Sequence, residues 1–181
     1  MSVCLFSAKR PDFGLRLLRQ WLFFTGLICT ISVSAQTLLP DQCVGNWAGT
    51  MHIYQVGALR DSVKVKFTVD RLTDTSWTWR MEYLSATMPM TKDYVLRLRN
   101  KQQQLYVTDE GGGLDLMEYR FGTKLYAVFE TQGILLTSSY ELRTPNELVF
   151  EVTSGKKLPA GHPEVSNYSV TSLQRAILRR Q

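Results

Sequence analysis

The chain has 181 residues, a formal charge of +5 and 20% charged residues, with both signs mixed along its length. That length suits one domain able to bury a sizeable core. The mixed charges form no basic footprint, which argues against a nucleic-acid partner.

The first segment is an address. Arg10, Arg16 and Arg19 precede an uncharged run from Trp21 to Val33, and Val33-Ser34-Ala35 supplies the residues a signal peptidase recognises. This predicts a secretory leader over residues 1–35, a mature chain from Gln36, and a secreted or periplasmic location. The run of about thirteen residues is short of the roughly 20 a membrane helix needs, and no later segment is long and apolar enough to span, so no transmembrane segment remains after removal of the leader. The leader takes four of the 21 basic and one of the 16 acidic residues, leaving 17 against 15. Cys4 and Cys29 leave with it, so Cys43 has no disulfide partner and the core must hold the domain together. Ile28, before Cys29, is too large for a lipobox, which argues against a lipid anchor.

Alternation with period two dominates from Gly45 onward. Gly45 to Val56 is the first strand. Val63, Val65, Phe67 and Val69 then share one face against Lys64, Lys66, Thr68 and Asp70. Trp77, Trp79, Met81 and Tyr83 oppose Thr78, Arg80 and Glu82, and Tyr94, Leu96 and Leu98 oppose Arg97 and Arg99. Further strands are predicted over Gln104–Thr108, Leu114–Phe121, Leu125–Thr131, Ile134–Leu142, Leu148–Thr153 and Tyr168–Leu173. Short turns separate them, among them Asp70–Asp74, Arg99–Lys101, Asp109–Gly113, Gly122-Thr123, Gln132-Gly133 and Thr144–Asn146. Links this short join antiparallel neighbours, because a parallel crossover needs a dozen residues or more. An open meander of this size would leave two edges and an apolar face exposed. The expected fold is therefore all-β, an antiparallel up-and-down meander closed into a barrel of 8–10 strands over residues 36–181, with a β-sandwich as the alternative.

Gly45-Asn46-Trp47 opens the first strand soon after the leader. The motif resembles the Gly-x-Trp opening of lipocalins and related calycin barrels, including the avidins. The resemblance implies that Gly45 and Trp47 form a plug at one barrel end, with an Arg near the last strand stacked over the indole; Arg175 is the expected partner. The chain also departs from that pattern. Thr91-Lys92-Asp93-Tyr94 stands where a Thr-Asp-Tyr motif would, Gln174 to Arg180 has room for two helical turns at most, and Gly57–Arg60 leaves none for the helix pair of fatty-acid-binding proteins. No ligand class carries over from any branch.

The aromatics point to a cavity. Trp77, Trp79, Tyr83 and Tyr94 fall on inward faces of adjacent strands, with Ser138 and Tyr140 on a later one. These are the candidate ligand-binding residues, an apolar lining with a few polar groups to fix orientation. The competing reading is a filled core, since aromatic stripes usually pack. No catalytic set, metal site or cofactor is expected. Asp109–Gly113 lacks a Lys and leads into a strand, so it is a hairpin turn and not a phosphate loop. Cys43, His52 and His162 lack a fourth ligand and a zinc-like spacing, and the loop around His162 offers little for haem. Glu118 shares its parity with Leu114 and Leu116; if it points inward, it is the first acid to test for a raised pKa. The expected function is an exported binder of a small hydrophobic ligand, not an enzyme. The alternative is a periplasmic or surface module with a filled barrel and a protein partner.

Overall fold

Strand alternation closes on itself in the computed structural model, which describes residues 37–181 apart from 160, 161 and 163. The expected leader, its cleavage site and Cys29 lie outside the described residues, as does much of the loop around His162. A short helix α1 (Leu39–Cys43) precedes β1 (Gly45–Gln55), β2 (Ala58–Val69), β3 (Arg71–Thr73), β4 (Ser76–Tyr83) and β5 (Met90–Asn100). Then follow β6 (Leu105–Asp109), β7 (Asp115–Phe121), β8 (Lys124–Thr131), β9 (Ile134–Thr144), β10 (Glu147–Leu158) and β11 (Asn167–Arg180).

Every neighbour in the order β2-β1-β11-β10-β9-β8-β7-β6-β5-β4 is antiparallel, and a β2–β4 pairing closes the ring. The result is a ten-stranded meander barrel, with β3 outside it as a hairpin flap on β4. Closure removes the edges that an open sheet of this length would expose. Two-residue turns keep the register tight. At the β8–β9 turn Gln132 and Gly133 both have positive φ, 51° and 73°, the turn whose twist suits a hairpin.

Two elements depart from expectation. β11 does not stop at Leu173 or turn helical; it runs to Arg180 because Ala176 and Leu178 continue the inward alternation and pair with β1. α1 was not visible as a periodic segment because five residues are too few to show one. Pro40 sits in its first turn, and it buries Leu39 and Cys43 against the barrel end.

Turns of a meander alternate between the two barrel ends. One end carries the chain start at Gly45, the 70–75 and 101–104 turns, and the β11 terminus. The other carries the 84–89 and 110–114 connections, the end of β10 at Leu158 and the start of β11 at Asn167. The first end is filled by Trp47, Phe67, Trp77, Tyr106, Leu125, Leu148 and Leu178, all at most 1% exposed.

Candidate functional site

The plug is built around Trp47, whose indole Nε1 donates to the Cys43 carbonyl at 2.8 Å. α1 therefore serves as the lid that satisfies the buried indole. Trp77 does the same from β4, donating to Asp41 Oδ1 at 2.9 Å. Above Trp47 lies Arg180, its guanidinium carbon 4.1 Å from the ring centroid. Arg175 is not the stacking partner. It occupies the outward parity of β11 and faces Glu151 at 3.8 Å, whereas Arg180 continues the inward parity of Ala176 and Leu178. Gly45 is needed here on two counts: its φ is +127°, and a Cβ would stand 3.0 Å from Arg180 Nη1. The thiol of Cys43 is sealed in, and burial pushes its pKa up to about 12, which removes it as a nucleophile at neutral pH.

Next comes an aromatic layer. Phe67 and Trp79 meet edge-on at 4.9 Å, Trp79 meets Tyr140 at 5.1 Å, and Tyr140 stacks on Phe150 at 4.5 Å. Trp77 and Trp79 are 0% and 1% exposed and belong to this packed region, so neither lines open space as expected of ligand-binding residues. Their height along the axis, and not their inward direction, separates them from the cavity.

Above the layer the barrel is hollow. A cavity of about 370 Å³ is lined by Tyr83, Tyr94, Ser138 and Tyr140 from the expected set, together with Met81, Leu116, Phe129, Leu136, Phe150 and Val152. A ten-stranded ring is wide enough to leave such space where side chains do not converge. Lys92, Thr108, Glu110, Glu118 and Gln174 supply further polar groups.

Glu118 points inward. It is 3% exposed, and its Oε1 accepts from Thr108 Oγ1 at 2.7 Å. Burial lifts its pKa from an ordinary 4.5 to about 7; the Thr108 hydroxyl pulls the other way, and the charge of Glu110 adds to the rise. Burial, and secondarily Glu110, holds the Tyr83 and Tyr94 phenols above their usual range. Tyr140 is likewise held well above its usual range, by burial first and its tyrosine and carboxylate neighbours second. The cavity thus presents protonated phenols, one carboxyl poised near neutrality, and one ammonium, Lys92, 5.9 Å from the Tyr94 ring centroid. Parity left the side of Glu118 open, and the structure turns it inward. Thr108 and Glu110 follow Tyr106 with the same parity, a signal legible in the sequence once Tyr106 is placed inside.

Fold and site together define a closed ten-stranded antiparallel barrel, plugged at one end and hollow at the other. Solved structures agree at the level of fold. The S-type phycobiliprotein lyase of Guillardia theta superposes with a TM-score of 0.59 at 8% identity, covering 78% of this chain and 90% of that one. A protein of unknown function from Nostoc punctiforme, of the DUF3598 family, superposes with a TM-score of 0.55 at 11% identity over 78% of this chain. This chain spans about half, 49%, of that protein's length. No protein-family model matches the sequence, and no curated protein matches it either.

Proposed function

We propose that this is an exported small-molecule binding protein that holds a hydrophobic ligand inside its barrel, acting as a carrier or sensor and not as a catalyst. The observation that carries the reading is the 370 Å³ cavity above the Phe67–Trp79–Tyr140–Phe150 layer. Its volume falls within the range of small-molecule sites, and its wall is mainly apolar with a few polar groups that fix orientation. The proposal of export is supported by the sequence pattern of residues 1–35, basic residues ahead of an apolar run and a small-residue cleavage site, which reads as a secretory leader. Native mass spectrometry of protein purified from its own host is the test. A co-purified small molecule, displaced by a solvatochromic hydrophobic dye, supports the reading. A clean apoprotein that binds no dye removes it.

A second reading has its own observation. Met117, Tyr119 and Phe121 of β7 and Tyr126 and Val128 of β8 are exposed on the outer wall, with Tyr119 directly opposite Tyr126. A contiguous outer apolar band of this kind marks a protein contact surface. If the dye fails and sedimentation finds association that Phe121→Ser abolishes, the interaction module takes precedence.

A further inference from the structure

We propose that the cavity's ligand carries a basic nitrogen, received as a cation by Glu118 among the rings of Tyr83, Tyr94 and Tyr140. The proposal rests on the binding reading above and names the class of molecule that binds.

Three features of the lining converge on it. First, a carboxyl group sits in the wall with half its capacity unused. Glu118 accepts from Thr108, and among the described residues no second hydrogen bond reaches that carboxyl. A buried acid with neither a cation nor a full set of donors is costly, and a barrel interior could hold an apolar residue there at no such cost. Second, once Glu118 is ionised the charge in the cavity has one dominant sign. Two carboxyls, Glu110 and Glu118, face a single ammonium, Lys92, and no Arg is among the described lining residues. A ligand carboxylate or phosphate would meet repulsion without a guanidinium to receive it. Third, the walls beside Glu118 are aromatic, and ring faces attract a desolvated cation most strongly where water is excluded. Phenols held in their neutral form keep those faces available.

The proton follows from the same geometry. In the empty cavity Glu118 is largely protonated below pH 7, with Glu110 and Lys92 as the other charged groups and Tyr83, Tyr94 and Tyr140 as the titratable phenols lining the space. An ammonium placed beside it favours the carboxylate, so binding expels the proton into solvent. Uptake of ligand is then coupled to proton release under mildly acidic conditions, and uncoupled above neutrality.

Three naphthalenes of nearly equal size serve as probes: 2-naphthylmethylamine, the neutral 2-naphthalenemethanol, and the anion 2-naphthoate. The expected order is amine tightest, at least tenfold below the alcohol in Kd, with naphthoate weakest. Calorimetry in buffers of different ionisation enthalpy should show close to one proton released per amine bound at pH 6 and almost none at pH 8. Glu118→Gln should bring the amine to the alcohol's affinity, leave the alcohol within about twofold, and abolish the proton release. Equal binding of amine and alcohol overturns the proposal while leaving the binding reading intact. So does tightest binding of naphthoate, which would make Lys92 the selecting group, or an amine preference that survives in Glu118→Gln. Failure of all three probes removes the binding reading and this proposal together.

Discussion

Arg180 lies over the indole of Trp47, 4.1 Å from its ring centroid, while its guanidinium donates to the carbonyl oxygens of Gln42, Val44 and Pro145. One side chain therefore ties the end of β11 to α1, to the start of β1 and to the β9–β10 turn. The carbonyls at Gln42 and Val44 would otherwise be open helix-end acceptors. Arg180→Ala should cost about 2–3 kcal/mol, through a lost cation–π contact and charge-assisted hydrogen bonds. Trp47→Ala should cost about 3–5 kcal/mol as a buried aromatic truncation. Arg175→Ala, which breaks only a half-exposed pairing with Glu151, should stay within about 1 kcal/mol. Urea melts of the three variants check the order; an Arg175 loss larger than the Arg180 loss would restore the sequence-based partner.

Floor and wall of the cavity should separate in the same kind of experiment. Trp79 is packed on Phe67 and Tyr140, so Trp79→Ala should destabilise by about 3–5 kcal/mol, as much as the plug variant. Ser138 faces open space, so Ser138→Leu should fill it, change stability by less than about 1 kcal/mol, and weaken binding of a hydrophobic dye at least tenfold. Dye titrations beside thermal melts decide it. Undiminished binding in Ser138→Leu would put the ligand site elsewhere.

Glu118 should leave a signature in the pH dependence of stability. Its pKa is about 7 in the folded barrel against 4.5 ordinarily, so the folded state holds the proton more tightly than the unfolded chain. Stability from this group is therefore full below 4.5 and is lost as pH rises from 4.5 through 7, by roughly 3.5 kcal/mol at about 1.4 kcal/mol per pKa unit. Glu118→Gln should be nearly neutral at pH 4.5 and stabilising at pH 8. Thr108→Val removes the one hydrogen bond that favours the carboxylate, so it should steepen the decline. Denaturant melts across that interval test the sign; a wild type that gains stability between pH 4.5 and 8 relative to Glu118→Gln would contradict it.

At the rim of the hollow end, Val56 occupies the left-handed region with φ of 48° and is 81% exposed. A β-branched residue gains nothing from that exposure and bears strain from its backbone. Val56→Asn should raise stability by about 1 kcal/mol, or about 2–4 °C in Tm, while the backbone bond from residue 56 to the Thr171 carbonyl persists. A calorimetric scan that shows no rise, or a fall, would mean that Val56 makes a contact worth more than its strain.

What the sequence determined by itself is the direction of nearly every side chain. Alternation is a local property of extended backbone, so Val65, Phe67, Trp77, Trp79 and Tyr140 could be placed inside, and the short turns required an antiparallel, closed meander. Alternation left the side of Glu118 open, and only the folded barrel turned it inward. What only the tertiary structure decided is height along the barrel axis. Height depends on the stagger accumulated over ten paired strands, which sets Trp47 opposite Arg180 and leaves Arg175 opposite His52. That same stagger puts Trp79 in the packed layer and Tyr83, Tyr94 and Ser138 beside open space, although all share the inward direction. The helix α1 also belongs to this second class. Five residues hold no periodic signal, and their helix forms because a barrel end offers Leu39 and Cys43 a place to be buried.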